Sequence, residues 1–186
     1  MNNQDNFQPD EGQLKALVTW YPVDHPLHYG LHHPLMKLVG ELGEYIDLLA
    51  KKQYKPGKIV TDEMIEAELG DIWFYIRIIA YLSGETIESA SLFSDTHPFD
   101  NSDPEEILFG IMYSASSMLY CFRSKEFMEI DFLYDVVGSF KVYVKRLGYT
   151  LDRLTQSNYL KLVDPETGKG RHGWKSQIEY NTLDVD

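Results

Sequence analysis

The chain of 186 residues carries 29 Asp and Glu against 17 Lys and Arg, a formal charge of −12. That balance argues against nucleic acid held on a basic patch and against an anionic membrane surface, since both depend on clustered cations. With 44% apolar and 25% charged residues, the composition is that of a globular protein of one domain, or of two halves sharing a core.

Residues 1–13 are polar and are expected to be disordered. They hold neither a basic nor an apolar run of the kind that targets a chain, and the expectation is a cytoplasmic protein. Residues 14–33 mix apolar side chains with Pro22, Pro26 and Gly30, and carry His25, His28, His32 and His33. After Pro34 the apolar residues Leu35, Leu38, Leu42, Tyr45, Ile46 and Leu49 recur at helical steps until Lys55-Pro56-Gly57-Lys58 breaks the pattern. Thr61 reads as the N-cap of a second helix, with Asp62 and Glu63 in its first turn, running to about Leu82. A short helix is expected over 86–93.

Pro104 opens the next helix, which runs to about Arg123. Its uncharged run Ile107 to Phe122 spans 16 residues with serines inside, short for a membrane span and suited to a buried helix. The single cysteine, Cys121, excludes an intrachain disulfide or a thiolate cluster and points to a reducing compartment; it reads as core filling. Two further helices are expected over 130–147 and 150–162, and a flexible tail over 164–186. The expectation is an all-α bundle of about five main helices forming a single domain over 14–163.

The two halves can also be aligned. Glu68-Leu-Gly-Asp71 falls on Val136-Val-Gly-Ser139, Gly84-Glu-Thr-Ile on Gly148-Tyr-Thr-Leu, and Glu41 and Glu44 fall opposite Ser114 and Ser117. This is either a degenerate repeat that kept its packing and lost its acids, or chance likeness between amphipathic helix pairs.

The chemistry lies in Glu41-Leu-Gly-Glu44 and Glu68-Leu-Gly-Asp71, each with two carboxylates on one helix face. On a wheel of about 100° per residue, Ile65, Ile72, Tyr75 and Ile79 lie within about 60° of Glu68. Glu63, Glu66 and Arg77 hold the opposite side. Glu41 likewise lies between Tyr45 and Leu48. Carboxylates on an apolar stripe are costly unless they pair with bases or hold a cation. The hairpin places both pairs about 10–12 Å from its turn, level with one another. Four such oxygens make a hard site for Mg²⁺, with Mn²⁺ as a substitute.

These motifs, with 23 residues between them, resemble the E-x-x-E and E-x-x-D signature of the all-α nucleoside triphosphate pyrophosphatase superfamily, which includes MazG-like proteins, dCTP pyrophosphatases and dimeric dUTPases. Asn158-Tyr-Leu-Lys-Leu162 is similar to that family's N-x-x-K-L element. The extra helix pair before it is a departure from the compact members, and Asp164 to Arg171 replaces their usual basic ending. The resemblance implies hydrolysis of a (deoxy)nucleoside triphosphate to the monophosphate and pyrophosphate in nucleotide-pool house-cleaning. It implies metal ligation by Glu41, Glu44, Glu68 and Asp71, with Glu41 as general base.

Lys37 and Lys161 are candidates for phosphate charge, or surface lysines. Tyr75 either bonds a phosphate or packs in the core. Asn158 is a candidate for base or sugar, His33 for a substrate contact, and Arg171 for closing over phosphates. Trp20 and Trp73 are candidates for base stacking. His25 and His28 have the spacing of a zinc pair without further ligands. The family's homodimers and homotetramers set the expected assembly, unless residues 104–147 cover the site within one chain. The rival reading is a non-catalytic nucleotide-binding or helix-bundle interaction protein that retains the metal site.

Overall fold

A computed structural model describes residues 10–20, 30–92, 102–124 and 130–163. Among them are seven helices and no strand: α1 (Glu11–Trp20), α2 (His32–Tyr54), α3 (Asp62–Leu82), α4 (Ile87–Leu92), α5 (Pro104–Ser124), α6 (Ile130–Arg146) and α7 (Leu151–Val163). The all-α bundle is therefore observed. No described helix is long and apolar enough to cross a membrane.

Helix α1 was not expected, and it begins inside the segment 1–13 read as disordered. Its start is a reciprocal capping box. The Gln13 backbone N–H donates to Asp10 Oδ1 at 2.7 Å, and the Asp10 N–H donates to Gln13 Oε1 at 3.0 Å. The Gln13 side chain then donates to the Glu85 carbonyl at 2.9 Å, which ties α1 to the turn after α3. Helix α2 also starts earlier than expected, at His32, because Pro34 falls in the first turn, where a missing N–H costs nothing. Thr61 does cap α3, its Oγ1 accepting from the Met64 N–H at 3.3 Å.

Helix α3 is central, packed against α1, α2, α6 and α7. Every residue from Ile72 to Ala80 is consequently buried. The face opposite Glu68, where Arg77 lies, is thus covered as well. The Arg77 guanidinium lies 5.8 Å from the Trp73 ring centroid, and Nη1 donates to the Gly12 carbonyl at 2.7 Å. Burial lowers the Arg77 pKa to about 10, with Asp10 opposing the shift. A Cβ at Gly12 would stand 3.3 Å from Nη1, a tight contact that the flexible end of Arg77 would have to ease.

The two halves are built alike. Helices α3 and α6 both end in a Schellman motif, with Glu85 N–H donating to the Ala80 carbonyl and Tyr149 N–H to that of Val144, each at 2.9 Å. The φ angles of Gly84 and Gly148 are 75° and 83°, a region only glycine adopts freely. The short helix after each turn crosses over: α4 packs on α6, and α7 packs on α3. Between the halves, Trp73 stacks on Phe140 at 5.7 Å, and the hydroxyls of Tyr45 and Tyr143 meet at 2.9 Å. In the second half the positions aligned with the acids hold Ser114, Val136 and Ser139, all buried, and half-buried Ser117. Cys121 is half-buried on α5 rather than a core residue, because α5 turns its Tyr120 and Phe122 flanks outward.

Candidate metal centre

The α2–α3 hairpin brings the two acidic motifs together. Glu41, Glu44 and Glu68 each offer a carboxylate oxygen, and these oxygens lie within 4.8 Å of one another. Glu41 and Glu68 are half-buried while Glu44 is exposed, so the cluster opens to solvent along one edge. Their neighbours along α2 and α3, Leu38, Leu42, Leu69 and Ile72, are all fully buried. The acids therefore stand on the rim of the core, as their place on the apolar stripe requires.

The electrostatics fit a cation site. The Glu41 pKa rises from its ordinary 4.5 to about 7, through burial first and then the negative charges of Asp71 and Glu44. The ammonium of Lys37, 4.0 Å away, opposes this weakly because half of the lysine side chain is in water. A divalent ion would relieve the crowding, and three convergent carboxylates suit hard Mg²⁺ or Mn²⁺. The donor set therefore fits the expected group, with Glu41, Glu44 and Glu68 as the residues that would hold it.

Asp71 is outside the group whose oxygens lie within 4.8 Å of one another, although its charge is the strongest that acts on Glu41. Its Oδ1 accepts from Asn158 Nδ2 at 2.6 Å, and its Oδ2 accepts from Lys161 Nζ. Both donors come from α7, one turn apart on the face that packs against α3. Gly70 makes this approach possible. A Cβ at Gly70 would lie 3.3 Å from Asn158 Cβ and 3.5 Å from the Leu154 carbonyl oxygen. Gly43, the matching glycine of the first motif, faces open space. The glycine of E-L-G-E follows no packing demand, whereas that of E-L-G-D does.

Tyr75 is 9% exposed, and its hydroxyl pKa is raised by burial and then by Glu41, Asp71 and Glu44, which places it beside the acids. His33 sits half-buried in the first turn of α2, its pKa lowered by burial and then by Lys37 and His32. Trp73 does not present its ring to the acids. It stacks on Phe140, and its Nε1 donates to Thr155 Oγ1 at 3.0 Å. His25, His28, Arg171 and the Trp20 side chain lie outside the described residues. Sequence reasoning missed Gln13 and Arg77, which dock α1; the Asp10-x-x-Gln13 spacing was the available signal.

No protein-family model, curated protein or solved structure matches the chain.

Proposed function

We propose that the chain is a Mg²⁺-dependent nucleoside triphosphate pyrophosphohydrolase, releasing a (deoxy)nucleoside monophosphate and pyrophosphate. The observation that carries this reading is the convergence of three carboxylates at the core's edge, with an amide and an ammonium delivered beside them by α7. When bound by Glu41, Glu44 and Glu68, the ion supplies charge neutralisation and Lewis acidity toward the phosphates. Glu41, half-buried at the edge of the cluster, is the carboxylate that would take a proton from the attacking water. Lys37 adds positive charge at the open rim, where its ammonium is half exposed. Tyr75, buried beneath the acids, limits water on the core side of the cluster.

The deciding assay incubates the protein with a panel of ribo- and deoxyribonucleoside triphosphates and Mg²⁺, resolving pyrophosphate from orthophosphate. Pyrophosphate and the monophosphate in equal amounts are expected. Orthophosphate as the first product would refute the reading. Binding without turnover across the panel would favour the non-catalytic nucleotide-binding alternative.

A further inference from the structure

The outward face of α5 carries a pattern that the metal centre does not use. Between Ile107 and Cys121 the exposed residues are Phe109, Tyr113, Ser116 and Tyr120. The three rings are 63%, 69% and 65% exposed. Glu106 and Arg123, also exposed, extend the row at either end. The steps from Glu106 to Arg123 are three, four, three, four and three residues, the seven-residue repeat by which one helix packs along another. The other face of α5, which packs on α2 and α6, is buried.

The first half supplies an internal comparison. In the alignment that sets Glu41 against Ser114, the same four positions on α2 are Met36, Gly40, Gly43 and Asp47, and all four are exposed. That row has a single large apolar side chain and ends on a charge. The α5 row has three aromatic rings in a run without charge from Ile107 to Phe122. At about 150–250 Å² for each aromatic side chain, the rings expose about 300–500 Å² together. That is the size of the largest patch on a soluble monomer, which is often functional.

The row is also its own complement. It is symmetric about the middle of α5, so a second α5 laid antiparallel sets Phe109 on Tyr120, Tyr113 on Ser116 and Glu106 on Arg123, each pair twice. A parallel pair would set Glu106 on Glu106 and Arg123 on Arg123. Glu106 Oε2 accepts from the Asp103 N–H at 3.3 Å, which holds that carboxylate at its end of the row. Two chains of charge −12 repel one another. A charge-free row with opposite charges at its two ends is a surface on which they can still meet.

We propose that the chain forms a two-fold homodimer by antiparallel packing of α5 on α5, with Glu106–Arg123 pairs closing both ends. No acid of the metal centre takes part. Doubled across the two-fold, the rings contribute about 600–1,000 Å², near the lower limit of specific interfaces, so the dimer dissociates in the micromolar range.

The test is sedimentation equilibrium of the full chain in EDTA at about 1–200 μM, a range that brackets such a dissociation constant. Circular dichroism confirms the fold of each variant. The wild type is expected to pass from monomer to dimer. Tyr113→Glu puts a charge on each side of the two-fold and is expected to weaken the dimer about tenfold or more. Glu106→Arg and Arg123→Glu each make both end pairs repulsive, and each is expected to weaken it about three- to tenfold. Their combination restores opposite charges at both ends and is expected to return to within about threefold of the wild type. A wild type that stays monomeric at the highest concentration would overturn the proposal, leaving the row to a partner of another kind. A dimer that Tyr113→Glu does not weaken would place the contact elsewhere and overturn it equally. Charge reversals that do not compensate one another would refute the antiparallel pairing.

Discussion

Replacing Glu41 by Gln should stabilise the protein in the absence of metal while removing its capacity to hold one. In the folded state the Glu41 pKa is raised from 4.5 to about 7 by burial and by Asp71 and Glu44. A carboxyl raised in this way stabilises the folded state most below its unfolded pKa and loses that contribution as pH climbs through its folded one. The interval corresponds, at about 1.36 kcal/mol per pH unit, to about 3 kcal/mol of destabilisation once the group is fully charged. The Glu41 side chain is only 12% exposed, so solvent screening removes little of this. An isosteric amide carries no charge and escapes the penalty. Thermal unfolding in EDTA should show Glu41→Gln more stable by about 2–3 kcal/mol at pH 8, a rise in Tm of about 4–12 °C. At pH 4.5 the gain should shrink below about 0.5 kcal/mol, because Glu41 is then neutral in the folded protein as well. A gain of the same size at both pH values would refute the charge-crowding argument. No gain at pH 8 would refute it equally.

Addition of Mn²⁺ or Mg²⁺ should raise the Tm of the wild type, by about 2.7 kcal/mol of stabilisation at a hundred times the dissociation constant; calorimetric scans should show this lost in Glu44→Gln and Glu68→Gln. Arg77→Met should loosen α1, since it removes the bond to the Gly12 carbonyl and the contact with Trp73. Urea unfolding should register about 1–3 kcal/mol, with hydrogen exchange accelerated at Gln13 and Leu14, and unchanged protection there would contradict the clamp. The two motif glycines should respond oppositely. Gly43→Ala, into open space, should stabilise by about 0.5–1 kcal/mol in chemical denaturation. Gly70→Ala should push α7 outward and cut turnover about tenfold or more, because about 1 Å of misplacement at a site can cost far more.

The acidic motifs were legible because carboxylates on a helix's apolar stripe contradict the local rule for burial. The helices α2, α3, α5, α6 and α7 were legible for a similarly local reason: apolar periodicity, Thr61 as a cap, and Gly84 and Gly148 as stops all act within a few residues. Helix α1 escaped notice because its apolar stripe is short, and its docking depends on Arg77 and Glu85, which are distant in sequence. For the converse reason, the burial of Arg77 was not legible. A wheel assigns a residue to a face, but only the surrounding helices decide whether that face meets water, and α3 is covered on all sides at that level.

The sequence by itself thus determined the all-α class, the hairpin and the level at which Glu41, Glu44 and Glu68 meet, since helix rise and period set all three. The tertiary structure alone decided that α7 crosses to α3 rather than staying with its own half. That crossing delivers Asn158 and Lys161 to Asp71. The division follows from range: helix geometry is fixed by neighbours three and four residues apart. The partners of Asp71 lie 87 and 90 residues away, and only the packing of the whole bundle brings them to it.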